Sequence, residues 1–92
     1  MTDKPSQKTV EIDGTNYTFQ KLPNMSYLEL RDRSKGPTGA LMDSKFYTEI
    51  LKNIVVAVND EFKKVNPDDF EDFIHLDNVV RAATKFQQGM GK

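Results

Sequence analysis

Cysteine and tryptophan are missing from the 92 residues, and histidine occurs once, as His75. Without cysteine there is no thiolate nucleophile and no disulfide framework. A lone histidine has no partner with which to share a metal, and the Cys/His zinc sites and the Ser-His-Asp relay lose their usual raw material. Neither sign of charge dominates: 13 lysines and arginines face 14 aspartates and glutamates, a net charge of −1. A dedicated nucleic-acid binder carries a basic excess instead. No apolar run approaches the ~20 residues that span a bilayer. The opening Met1-Thr2-Asp3-Lys4-Pro5-Ser6 lacks the apolar stretch of a signal peptide. The expectation is a soluble intracellular protein with no cofactor and no metal, working through its surfaces rather than through a reaction.

What is present reads as one small domain over 8–92, preceded by a polar, proline-containing lead-in over 1–7 that is expected to be disordered. The clearest local signal is Thr9-Val10-Glu11-Ile12, then Asp13-Gly14, then Thr15 to Gln20. Val10 and Ile12 alternate with polar residues, as do Tyr17 and Phe19. Two such runs around Asp-Gly predict a β-hairpin over 8–21, because a type I′ turn needs positive φ and glycine supplies it cheaply. Its face of Val10, Ile12, Tyr17 and Phe19 must lie on something else, since a lone hairpin is marginal in water.

Four helical segments are expected behind it. Ser26 and Glu29 form a capping-box pattern at the head of a helix over 27–33, with Leu28 and Leu30 as its apolar residues. Ser34 to Gly39, with two glycines and a proline, is a loop. Asp43 or Ser44 caps the strongest helix, 44–58, whose apolar positions Phe46, Tyr47, Ile50, Leu51, Ile54, Val55 and Val58 recur at three and four. Val56 falls on its polar side. Asn59 to Pro67 is a connection carrying Phe62 and Val65. Asn66-Pro67 opens a short helix over 67–73, where the acidic residues suit the macrodipole. Asp77 caps a last helix, 77–88, with the stripe Val79, Val80, Ala83 and Phe86 and a stop at Gly89. The layout is an α+β domain, a hairpin packed against three to four helices.

None of the chemistry-bearing patterns is specific. His75, between Ile74 and Leu76, reads as a partly buried junction histidine. Asp68, Asp69, Glu71 and Asp72 lack the spacing and glycine of an EF-hand loop. The glycine-rich loop, near Arg31, Arg33 and Lys35, departs from the phosphate-binding pattern and follows a helix. A domain this small has more phenylalanine than a core needs. Phe62, Phe70 and Phe73, in the least regular stretch, together with Val56, are the residues nominated for partner binding.

The order of these pieces resembles the small tail assembly chaperones of long-tailed bacteriophages, in particular those of phages infecting Gram-positive hosts. The matching features are the opening hairpin with Asp13-Gly14, Tyr17 and Phe19; Leu22-Pro23 leading to Leu28-Glu29-Leu30-Arg31-Asp32-Arg33; the loop with Gly36 and Gly39; the helix from Phe46 to Val58; and Val79-Val80-Arg81-Ala82-Ala83 with Phe86 and Gly89. The resemblance implies a non-enzymatic protein that coats the tape measure protein in the host cytoplasm and is absent from the mature virion. In this family a programmed frameshift near the end of the gene appends a domain that recruits tail tube protein. Met90-Gly91-Lys92 suits such a slip, since a GGA codon for Gly91 would read G GGA AAR. No residue-level binding map comes with the resemblance, and self-association into a homo-oligomer is left open. A virion-retained head–tail connector and a small regulatory or nucleic-acid-binding protein are the alternatives. A deep cleft with converging ionisable groups, or a bound metal ion, would overturn the reading of a domain that works by lending apolar surface to another chain.

Overall fold

The computed structural model describes residues 7–89. The expected lead-in therefore lies outside the described residues except for Gln7, and Met90-Gly91-Lys92 lies outside them as well. The fold is α+β, an antiparallel four-stranded sheet in the spatial order β1-β2-β3-β4 with helices on one face.

Strands β1 (Gln7–Ile12) and β2 (Thr15–Gln20) form the expected hairpin. Val10 pairs with Tyr17, and Ile12 with Thr15. The turn residues Asp13 and Gly14 take φ of 52° and 88°, the positive values that a type I′ turn requires. On the inner face, Ile12, Tyr17 and Phe19 are buried. On the outer face, Thr9 and Thr18 meet hydroxyl to hydroxyl at 2.9 Å.

Helix α1 (Asn24–Arg33) starts earlier than the 27–33 expected. Pro23 stands at its N-cap, and its carbonyl accepts from the Tyr27 amide at 3.0 Å. Ser26 is thus already helical and caps nothing, which removes the capping box. The inward residues are Tyr27 and Leu30, three apart on one face, while Leu28 is exposed. Ser34 closes the helix by donating its buried hydroxyl to the Leu30 carbonyl at 2.8 Å. The glycine-rich loop folds back on itself, with the Gly36 amide on the Ala40 carbonyl and the Met42 amide on the Ser34 carbonyl.

The largest correction concerns 44–58. Helix α2 (Asp43–Asn53) starts behind Met42, so neither Asp43 nor Ser44 is its cap. It stops at Ile54, and Val55–Val58 is a strand, β3, paired antiparallel with β2. Three β-branched valines in four residues favour the pleated surface, and β2 has an open edge to receive them. Helical spacing and a short apolar run are indistinguishable at that point, and pairing decides. Tyr17 pairs with Val58, Thr18 with Ala57, and Phe19 with Val55. Val56 is the extra residue of this β-bulge, which explains why it broke the helical pattern. Asn59 and Asp60, at φ of 51° and 67°, turn the chain into the two-residue strand β4 (Glu61–Phe62).

The expected helix over 67–73 is only a 3-10 turn, Pro67–Asp69. The last helix, α3 (Phe73–Gln87), begins four residues before Asp77. Asp72 is its cap, accepting from the Ile74 amide at 3.0 Å. The core formed by these elements joins Phe19, Leu30, Ile50, Leu51, Ile54, Val55, Leu76, Val79, Val80 and Ala83. Buried Gln87 fastens the end of α3 to the segment after β2. Its amide accepts from the Leu22 N–H at 2.7 Å and donates to the Leu22 carbonyl at 2.9 Å.

Candidate functional site

Among the described residues, two surfaces stand out for their shape and composition. The first is an open cleft of ≈ 760 Å³ beside the hairpin turn, lined by Asp13, Tyr17, Lys63, Lys64, Asp72 and His75 among others. A polar relay runs along its wall. The Tyr17 hydroxyl lies 2.7 Å from His75 Nε2, His75 Nδ1 lies 2.9 Å from Asp13 Oδ2, and Asn78 donates to the same oxygen at 3.2 Å. An ionised Asp13 only accepts, so Nδ1 carries the ring proton and, in the neutral ring, Nε2 accepts from Tyr17. The bond from His75 holds the Asp13 carboxyl below its ordinary range. Burial, and then the charge of Asp13, push the Tyr17 phenol up.

Both nitrogens of His75 are engaged, by Tyr17 and by Asp13, and the carboxylates of Asp69, Glu71 and Asp72 line the same cleft. The relay joins the tip of the β1–β2 turn to α3, and Phe70 closes over it with ring centroids 6.3 Å from Tyr17 and 5.6 Å from His75. Among the described residues no group of three or more His, Cys, Asp or Glu side chains is placed to hold a metal ion. The relay was invisible in the sequence, because His75 is 58 residues from Tyr17 and 62 from Asp13.

The second surface is an apolar trough between α2 and α3. One hollow of ≈ 480 Å³ is lined by Asp43, Tyr47, Thr48, Pro67, Asp68 and Phe73, with Leu76 and Ser44 behind them. A second, of ≈ 370 Å³, continues past Leu41, Phe46, Asp77, Val80, Arg81 and Lys85. The two share Asp43 and Tyr47. Phe73, Leu76, Asp77, Val80, Arg81 and Thr84 repeat at helical spacing, so one face of α3 forms a whole wall. Tyr47 divides the floor, donating its hydroxyl to Asp77 at 2.5 Å. Asp77 also accepts from Arg81 Nε at 2.7 Å. The bond to Asp77 is the main reason that the Tyr47 phenol is pushed up to about 12. In return Tyr47, and then Arg81, hold the Asp77 carboxyl below its usual range.

The four nominated residues are not brought together. Phe73 stands on the rim of the trough, 67% exposed, with its ring stacked 6.4 Å from that of Tyr47. Phe62 is 81% exposed on the outer face of the sheet, opposite Ala57. Phe70 packs against the core beside Tyr17, and Val56 sits half-buried in the bulge. Met25 and Leu28 form a separate exposed pair on α1. Sequence reasoning missed the trough itself, because its walls come from helices 20 or more residues apart and the first turn of α3, with Phe73, was left outside the expected 77–88. Compared with known proteins, the chain matches no family model, no curated protein and no solved structure.

Proposed function

We propose that this domain is a non-enzymatic assembly chaperone of a long-tailed bacteriophage, which shields the tape measure protein in the host cytoplasm and leaves before the virion is complete. The observation that carries this reading is the trough: an apolar channel between α2 and α3 that the described residues leave uncovered, with the aromatic ring of Phe73 on its rim. A small domain normally buries such a ring, and a rimmed apolar hollow is the usual form of a partner site. The order of sequence pieces described above supplies the identity of the client. Coating a long client requires many copies with modest contacts, because avidity sums weak sites while each one stays reversible. In the same scheme a frameshifted extension recruits tail tube protein.

The reading is tested by co-expressing the chain with the tape measure protein from the same genome. Retention of the tape measure protein in the soluble fraction is expected, and an unchanged pellet overturns the reading. Mass spectrometry of purified particles is the second arm. A stoichiometric signal for this chain would make it a structural component such as a head–tail connector.

A further inference from the structure

We infer that the α2–α3 trough receives an amphipathic α-helix whose apolar stripe is bordered by lysine or arginine where it passes Asp43 and Asp68, and by an acidic residue where it passes Lys85. The inference rests on the chaperone reading for the name of the partner, and on the trough alone for its chemistry. Both walls are helices whose interior main-chain groups are bonded within the helix, so neither offers a free strand edge. An extended segment lying there would bury amide and carbonyl groups without partners. A helix brings its own hydrogen bonds and needs from the groove only apolar surface, in the i, i+3, i+4, i+7 pattern of helix-in-groove recognition.

Charge then sets the flanks. The charged residues lining the first hollow, Asp43 and Asp68, are both acidic. At the far end Asp77 is bonded to Tyr47 and paired with Arg81, which leaves Lys85 as the outlying cation. The trough is therefore negative at the Phe73 end, while at the far end Lys85 alone adds positive charge. An incoming helix with the opposite order is steered and held in one orientation. The β1 edge points Lys8 to the inner face, a feature that discourages strand addition.

The test uses the full chain and three labelled helical peptides of about five turns. One has a leucine stripe with lysine flanks at one end and glutamate flanks at the other, one has glutamate flanks throughout, and one is a scramble of the first. Fluorescence anisotropy should show the first binding most tightly and weakening with salt. Phe73→Ser should weaken it about tenfold or more, the size of a central contact. Asp43→Asn with Asp68→Asn should remove most of the salt dependence. Phe62→Ser should leave affinity unchanged, and circular dichroism checks that each variant is folded. Amide shifts on binding should centre on Tyr47 and Phe73.

Equal affinity for the glutamate-flanked or scrambled peptide overturns the inference, as does indifference to Phe73→Ser. Shifts centred on Phe62 or on Met25 and Leu28 also overturn it. So does a homodimer that Phe73→Ser dissolves, since the occupant would then be a second copy. The two readings separate cleanly. A soluble tape measure protein with a peptide that ignores the trough sinks this site alone. A peptide that docks as expected beside an unprotected tape measure protein sinks the chaperone reading and keeps the groove.

Discussion

Tyr47 is the side chain on which the trough depends. Its hydroxyl spans from α2 to Asp77 on α3 and separates the two hollows. Because its folded pKa is raised to about 12, mainly by that bond, the protonated phenol is the form that stabilises the fold. Its contribution is complete below the ordinary tyrosine value of about 10 and is lost as pH rises through about 12. Between those values the wild-type chain should lose more stability than Tyr47→Phe, measured as the urea midpoint at each pH. Parallel losses would show that the bond to Asp77 has no energetic weight. Asp13 works in the opposite sense, since a lowered carboxyl stabilises above its ordinary pKa and loses that effect as pH falls through its folded value. At the other end of the relay, Tyr17→Phe leaves His75 Nε2 without its partner. The expected cost is about 1 kcal/mol in chemical denaturation, the usual size for one lost hydrogen bond. No measurable change would mean that water replaces the phenol.

The elements show which parts of the fold local sequence could disclose. The first hairpin was legible because Asp13-Gly14 advertises positive φ and the flanking residues alternate. The second hairpin has the same kind of two-residue turn, with Asn59 and Asp60 both at positive φ, but no glycine marks it. Without that flag, Val55 and Val58 joined the helical stripe of α2, and β3 was lost with them. The start of α3 was misplaced for a related reason: Asp72 and Asp77 are equally good caps in sequence, and only packing of Leu76 into the core chooses between them. The trough depends on the second of these corrections, which puts Phe73 and Leu76 on α3, so it could not be read beforehand, although Phe73 was nominated for its surroundings. The missing glycine also gives a prediction. Asp60→Gly relieves a left-handed conformation that costs a non-glycine residue about 1 kcal/mol, so the variant should be more stable by roughly 0.5–1 kcal/mol. A lower melting temperature would show that the Asp60 side chain has a role beyond filling the turn. Asn59 is not equivalent, because its Oδ1 accepts from the Asn16 amide at 3.0 Å and ties the turn to β2.

At the scale of the whole molecule, the phenylalanines divide between holding the fold and offering it to a partner. Phe19 is fully buried, its ring 6.1 Å from that of Phe86, at the meeting of sheet and helices. Phe73 is two-thirds exposed and touches only the rim of the trough. A domain of this size has about 5–10 kcal/mol of stability to lose. Phe19→Ala should remove about 3–5 kcal/mol of it, through lost burial and the cavity left behind. Phe73→Ser should stay within about 0.5 kcal/mol of wild type, as exposed substitutions do. Function should divide the other way. With equal amounts of folded chain, Phe73→Ser should fail to keep the tape measure protein soluble. Phe19→Ala, wherever it remains folded at low temperature, should still protect it. Coating by many copies sharpens the contrast, because a modest loss per site is multiplied along the client. If Phe73→Ser protects as well as wild type at limiting concentration, the working surface lies elsewhere on this domain.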